Sequence, residues 1–338
     1  MIKLSVIIAY YNAEQYIEEL LDSLLDQGFS KDEMEIIVVD DESTHSVEIL
    51  KNYCQSYPAV HYVWQKNALQ SVARNNGIGR AKGEYLYFCD NDDKVNRGVL
   101  SRIWDLAHNN ELDLLFFNRL MIGENELPPP KKMDFVLKEP ICSGQQYIGN
   151  HHDMSTGPWH FIIRKQLVDR YGLKFPSGII ICEDVDFLAK ASEVAERVSY
   201  VNVDVYYWIQ RSKSISHYSG KKKMAEKYIG DMLWNMSERK KQIANSDKLI
   251  PQFKTWLEKS NHTHAFAILH NAFRYLPPNK NLIVIEKLVE LGEYPLKGER
   301  LHSYKWHSII CFFMNRELLW LTLCRIYNII PQSIRNNF

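Results

Sequence analysis

The chain has 338 residues, 46% hydrophobic and 24% charged, with 41 Lys+Arg balancing 41 Asp+Glu. That length exceeds one small domain and suits a large domain with an appendage. Zero net charge lacks the basic excess of a typical nucleic-acid binder, and no nucleic acid is expected as a partner.

In chain order, residues 4–9 form a continuous apolar run of strand length. Asn12 follows as a candidate helix cap, before helical spacing of Ile17, Leu20, Leu21, Leu24 and Leu25 over 13–25. Residues 35–39 read as a second buried strand ending in Asp40 and Asp41. Ser43 is placed to cap a helix reaching about Tyr53. A strand over 60–64, a helix over 71–81 stopped by Lys82-Gly83, and a strand over 84–89 running into Asp90 come next. A helix over 98–108 and a strand over 112–117 complete the alternation. Strands without polar alternation, joined by helices, predict an α/β fold whose mostly parallel sheet is sandwiched by helices. In such sheets ligands bind beyond the carboxyl ends of the strands. Asn12, Asp40-Asp41 and Asp90 to Asp93 all fall there.

Residues 124–132, with Pro128-Pro129-Pro130, predict a loop. A strand over 159–164, a helix over 183–192 and a strand over 197–201 follow. From about Lys221 the pattern turns helical, over 222–243, 250–275, 282–291 and 308–329. A boundary near Gly220 therefore divides residues 1–220, with a first part of about 1–117 and a second of about 118–220, from a helical region over 221–338. Cys54, Cys89, Cys142, Cys182, Cys311 and Cys324 form no CxxC pair and fit reduced thiols in a cytosolic protein. Residues 1–5 lack the segments of a secretory signal, and no run reaches the roughly 18 uninterrupted apolar residues of a membrane span.

Asp90 and Asp92 stand two residues apart on a loop leaving a buried strand, so both carboxylates reach one hard cation. Oxygen ligands suit Mn²⁺ or Mg²⁺ and leave coordination positions for phosphate oxygens. The plainer alternative for this cluster is a solvated cap before Val95. Asp40-Asp41 is either an acidic turn or, on a nucleotide-binding sheet, a partner for a ribose hydroxyl or base edge. His151-His152-Asp153 and His262-Thr263-His264 lack a third ligand at metal spacing and read as surface or core histidines. Lys221-Lys222-Lys223 reads as a solvated helix start, and Trp159 either packs in the core or stacks on a sugar. The apolar stretches 309–313 and 318–324 form either an interfacial helix, with Arg316 and Arg325 near headgroups, or a helix packed on the protein's own core.

Several segments taken together resemble family 2 glycosyltransferases of the GT-A fold. Ser5 through Glu14 is similar to their opening, and Glu35 through Thr44 to their second motif. Ala73 to Ile78 with Ala81 to Tyr85 resembles the third, and Phe88-Cys89-Asp90-Asn91-Asp92-Asp93 the metal motif. Glu183-Asp184 with Phe187 resembles the acidic pair on the acceptor side. Tyr206-Tyr207-Trp208 through Arg211, then Ser214-Ile215-Ser216, resembles the segment closing the catalytic domain. The likeness covers about residues 3–217, with the segments in order. Four positions depart from it: Glu42 stands where Gly is usual, His45 where Asp is common, Ala9 for a frequent Pro, and Ala68-Leu69 for a usual Gly pair. Glu42 strains the expected turn, because Gly tolerates a positive φ and Glu does not.

The resemblance implies the roles. Ala9, Tyr11, Glu14 and Asp40 line the nucleoside pocket, with Asp40 or Asp41 near the base and Arg74 beside the nucleotide. Asn91 belongs to the same nucleotide-sugar site, and Arg211 reaches the diphosphate. Asp92 coordinates the metal, Asp90 is shared between metal and ribose, and Asp184 is the general base with Glu183 its rival. The implied reaction moves a sugar from a UDP-sugar to a glycan or lipid-linked acceptor with inversion, for bacterial polysaccharide assembly at the inner face of the plasma membrane. Residues adjacent on a helix point about 100° apart, so only one of the acidic pair faces the acceptor. The alternative is a non-catalytic nucleotide-sugar-binding scaffold of the same fold. A nucleotidyltransferase or a dinucleotide dehydrogenase needs glycines after the first strand, and Tyr10-Tyr11-Asn12-Ala13 has none.

Overall fold

A computed structural model describes residues 1–30, 32–124, 126, 128–129, 132–152, 154–211, 224–296 and 313–329. The chain divides into two compact units, Met1–Arg211 and Ser212–Phe338. The boundary expected near Gly220, the lysines 221–223 and the 214–216 segment lie outside the described residues, as do Asp153 and most of the 309–313 stretch.

The first unit is built on an eight-stranded sheet in the order β3-β2-β1-β4-β7-β6-β8-β5. The strands are β1 Leu4–Tyr10, β2 Met34–Asp41, β3 Val60–Gln65, β4 Tyr85–Asp90, β5 Lys94–Val95, β6 Leu114–Gly123, β7 Phe161–Arg164 and β8 Val198–Gln210. β1 pairs in parallel with β2 and β4, and β2 in parallel with β3. These are the unalternating apolar runs, and β1, β2 and β4 are buried almost throughout. Covering them on both faces removes their side chains from water at roughly 25 cal/mol per Å² of apolar surface. The helix Leu69–Arg80 lies so close to β1 that a Cβ at Gly77 would sit 2.4 Å from Ile7 Cγ2. Glycine at that point lets the helix dock and fixes Arg74 one turn earlier.

The α/β class and the mostly parallel sheet are as the strand pattern predicts, and the described part of the C-terminal region is helical. The second half of the sheet differs from expectation. The strand expected over 159–164 starts as a 3₁₀ turn, Pro158–His160, and becomes β7 only at Phe161. β7 runs antiparallel to both β4 and β6, and β5 antiparallel to β8. β6 and β8 extend well past the apolar runs expected over 112–117 and 197–201, because their polar continuations pair with each other in parallel. Two short helices, Gly144–Asn150 and Lys165–Tyr171, occupy sequence without clear periodicity. Neither Asn12 nor Ser43 caps a helix. The helices there begin after Tyr16 and Val47, and the two polar residues join the β1 and β2 loops instead.

In the second unit the described helices are Ala225–Asn245, Pro251–Tyr275, Pro278–Glu290 and Glu317–Ile329. Buried Arg239 donates to Asn261 Oδ1 at 2.7 Å and approaches His264 Nδ1 at 2.6 Å, so His264 serves a buried polar network. Trp320 and Tyr327 lie 4.8 and 4.7 Å from the Phe273 ring, and Cys324 is buried. One face of the last described helix thus packs on the unit's own core, while Leu318 and Ile326 stay exposed. Among the described residues no helix is long and apolar enough to cross a membrane.

Candidate active site

The carboxyl ends of β1, β2, β3 and β4 carry the predicted polar residues, and short hydrogen bonds stitch their loops together. The Asn12 side-chain oxygen accepts from the backbone N–H of Thr44 at 2.8 Å and of His45 at 3.1 Å, joining the β1 loop to the β2 loop. Beside it, His45 Nδ1 lies 2.8 Å from Glu14 Oε1. Asp40 accepts from Ser43 N–H at 2.9 Å and from the Tyr62 hydroxyl at 2.6 Å. Asp41 accepts from Gln65 at 2.7 Å and from the backbone N–H of Ala68 and Leu69, both at 2.9 Å. Both carboxylates are buried and engaged within the loops, so they shape the edge of the site through main chain. Tyr11, by contrast, is 48% exposed.

The positions where glycine is usual show how this edge is built. Glu42 has φ 62° and Leu69 has φ 73°. Both therefore keep the left-handed turn that glycine would make easily, at a cost of roughly 1–2 kcal/mol each. Asp41 holds the Leu69 N–H in place, and Glu42 Oε2 accepts from Asn67 N–H at 3.2 Å. A third left-handed residue, Cys182 with φ 64°, stands directly before the Glu183–Val194 helix. Strain of this kind persists where surrounding structure enforces it, and it gathers at functional sites.

The acidic loop after β4 forms the floor. Asn91 donates to the Ala9 carbonyl at 3.1 Å, tying the ends of β1 and β4. Asp93, expected to be no more than a cap, is buried instead. It accepts from the Tyr206 hydroxyl at 2.6 Å and from Ile209 N–H at 2.8 Å. Burial, then the neighbouring Asp90 and Asp92, push its pKa up to about 8. Burial followed by Asp90 also raises Asp92, against the pull of Arg211. Arg211 grips the Asp92 carbonyl with two N–H groups, at 2.7 and 3.0 Å, pairs with Glu124 at 3.1 Å, and lies 4.0 Å over the Tyr16 ring.

Arg74 connects this floor to the acidic pair. Its guanidinium donates to Asp90 Oδ1 at 2.9 Å and to Glu183 Oε1 at 2.8 Å while almost fully buried. Burial opposes its charge, and Asp90 and Glu183 outweigh burial, raising its pKa. Gln70 donates to the same Glu183 oxygen at 2.6 Å. Glu183 is pushed up to about 7, by burial first and then by Asp184, with Arg74 opposing. Asp184 faces elsewhere: it accepts from the Thr156 hydroxyl at 3.2 Å and from Val185 N–H at 2.8 Å, and burial raises its pKa.

The loop carrying Thr156 also carries Trp159, which stacks on Tyr206 at 5.0 Å with rings 6° from coplanar. A Cβ on Gly157 would lie 2.4 Å from the Trp159 ring, so the missing side chain makes room for the indole. Thr156, Gln70, Tyr62 and Glu124 escape sequence reading, because short polar segments carry no periodicity. Tyr206 lies in a segment quoted for the resemblance, but its bond to Asp93 depends on strand pairing.

Residues 5–172 match the model of glycosyl transferase family 2. The chain belongs to that family. Family 2 relatives include the uncharacterized glycosyltransferase EpsJ of Bacillus subtilis, 31% identical over 66% of this chain and 65% of EpsJ. The poly(ribitol-phosphate) beta-N-acetylglucosaminyltransferase TarS of Staphylococcus aureus is 31% identical over 62% of this chain. That match spans 35% of TarS, so the chain covers about a third of one relative and just under two thirds of the other. The crystal structure of TarS residues 1–349 in complex with UDP-GlcNAc aligns with a TM-score of 0.70 at 25% identity, covering 97% of this chain and 92% of that one. The fold of this family 2 member is therefore GT-A.

Proposed function

We propose that the protein is an inverting glycosyltransferase that moves a sugar from a UDP-sugar to a hydroxyl of a glycan or lipid-linked acceptor. The observation that carries this is the Arg74 bridge. One buried cation joins Asp90, on the nucleotide side, to Glu183, while the neighbouring Asp184 turns toward Thr156 on the other side. The named activity of TarS and the nucleotide in its crystal structure support the donor class. Its beta-N-acetylglucosaminyl specificity is a reading for this chain at the level of an N-acetylhexosaminyl or hexosyl donor.

Asp92, with Asp90, is the proposed holder of a Mn²⁺ or Mg²⁺ ion. The donor set is oxygen only, and burial and mutual repulsion raise Asp92, which is the charge imbalance a dication relieves. Among the described residues no three His, Cys, Asp or Glu side chains form a ready cage, and phosphate oxygens and water would complete the shell. When bound, such an ion neutralises charge growing on the leaving diphosphate. Arg74 holds Asp90 in place for this, and Arg211 holds the Asp92 main chain.

The acceptor hydroxyl must lose its proton as it attacks. Asp184 is the proposed base. Glu183 is the weaker rival because Arg74 and Gln70 both donate to its Oε1 and it is almost fully buried. A base attacking through one displacement inverts the anomeric centre. UDP release from UDP-sugars, measured with Asp184→Asn beside Glu183→Gln, tests the assignment. Turnover surviving in Asp184→Asn and lost in Glu183→Gln would overturn it. The proposed setting is the cytoplasmic membrane surface, where the exposed Leu318 and Ile326 edge would meet lipid.

A further inference from the structure

The arginines around the site each have an acidic partner, with one exception. Arg74 pairs with Asp90 and Glu183, Arg211 with Glu124, and Arg164 with Glu84. Among the described residues Arg119 has neither a hydrogen bond nor an ion pair. Its guanidinium lies 5.2 Å from the Trp159 ring and 4.7 Å from the Trp208 ring. It is partly buried, and burial alone lowers its pKa. A cation held away from bulk water with its five donors unspent is costly unless something completes it.

Its position is set by the sheet. The pairing of β6 with β8 slips between Asn118 and Arg119, so that Arg119 stands opposite Tyr206 and Met121 opposite Trp208. Such a bulge re-aims the side chains beyond it. From Asp93 the contacts run outward through the Tyr206 hydroxyl to the stacked Trp159, then to Trp208 at 6.5 Å, with Met121 52% exposed alongside. The Trp159 loop is the one that brings Thr156 to Asp184. The shelf therefore adjoins the proposed base, on the side away from the loops of β1, β2 and β3.

We infer that Arg119, seated on the Trp159 and Trp208 indoles, binds an oxyanion of the acceptor, so that the acceptor is an anionic glycan or polyol chain. This rests on the transferase reading above, because it names the second substrate of that reaction. The indole faces suit the carbon skeleton of a sugar or polyol, and the guanidinium suits a phosphodiester or carboxylate along the same chain. An aromatic shelf alone would accept a neutral glycan; the unspent cation is what selects charge.

The test uses the full chain and calorimetric titration without donor. The probes are a glycerol phosphate oligomer, a galacturonate oligomer and a neutral isomalto-oligosaccharide, with UDP titrated separately. Arg119→Met keeps an apolar side chain on the indoles while removing the charge, and an unchanged melting temperature verifies folding. The expected result is an anionic oligomer that binds the wild type and binds Arg119→Met about 10- to 100-fold more weakly, the range for a charge-assisted hydrogen bond. Neutral oligomer and UDP affinities stay unchanged. Whichever of the two anionic probes shows this dependence identifies the oxyanion. Equal affinity of wild type and Arg119→Met for both anionic probes overturns the inference and leaves the transferase reading standing. Parallel loss of neutral binding assigns Arg119 to structure, and loss of UDP binding assigns it to the donor; either result overturns the inference too. A wild type without affinity for UDP would sink the transferase reading itself, and with it the acceptor assignment.

Discussion

The two halves of the sheet solve different problems. The β1, β2, β3 and β4 half is parallel and apolar, and its polar ends are saturated: Asp40, Asp41, Asn12 and Arg74 all spend their hydrogen bonds within the protein. The β6, β7 and β8 half mixes strand directions, contains a register slip and leaves Arg119 unspent. A rigid, internally satisfied half suits a donor whose nucleotide is constant. A half with aromatic faces and spare donors suits a variable second substrate. The lesson is that preorganisation and selectivity are assigned to different strands of one sheet.

This contrast can be broken at several points. The largest effect is expected from Asp184→Asn, which lowers kcat by about 10²–10⁴-fold with donor KM unchanged, the usual range for a lost general base. A changed donor KM with intact kcat would move Asp184 to the donor half. Asp92→Ala lowers Mn²⁺-dependent UDP release by about 10²–10³-fold, typical for loss of a group that stabilises developing charge. Full activity there would remove the metal from that half.

Arg74→Met leaves two buried carboxylates without their shared cation and costs about 3–5 kcal/mol of stability in denaturant melts. A neutral outcome would mean that the bridge does not organise the site. The pH dependence has a defined sign. Glu183 has its pKa raised to about 7 from the model value 4.5, so its contribution is fully favourable below the unfolded value and is lost as pH rises through about 7. Replacing it in Glu183→Gln removes that loss, so the variant gains stability relative to wild type between the two values, at up to about 1.4 kcal/mol per pH unit. An unchanged pH profile would show that Glu183 titrates as an ordinary surface carboxylate. The smallest effect is Glu42→Gly, which relieves the left-handed strain and loosens the unfolded chain, for a net stabilisation of about 0.5 kcal/mol or less. Destabilisation beyond about 1 kcal/mol would give the Glu42 side chain a role that strain alone does not explain.

Much of the donor half was legible in sequence. Unbroken apolar runs such as Val6 to Ile8 and Ile36 to Val39 have one physical solution, a strand covered on both faces, and the acidic residues follow at the strand ends. Asp93 was read as a cap because a carboxylate before a turn usually is one; only the arrival of β8 supplies Tyr206 and Ile209 N–H to bury it. The acceptor half was hardly legible. β7 and the second part of β6 are short or polar, and their pairing depends on contacts distant in sequence. The departures at Glu42 and Leu69 looked like doubts about the turns, yet both turns form, because neighbouring carboxylate and amide groups enforce them.

Local pattern determined the strand-helix alternation, the family resemblance and the carboxylates gathered at the strand ends, since these depend on side-chain period and residue type. Tertiary structure decided what each charge is for. It joined Asp90 to Glu183 through Arg74, turned Asp184 to Thr156, and left Arg119 unpaired on its indoles. The reason is physical: a charge is defined by the partners and water around it, and in this chain those partners lie tens of residues away.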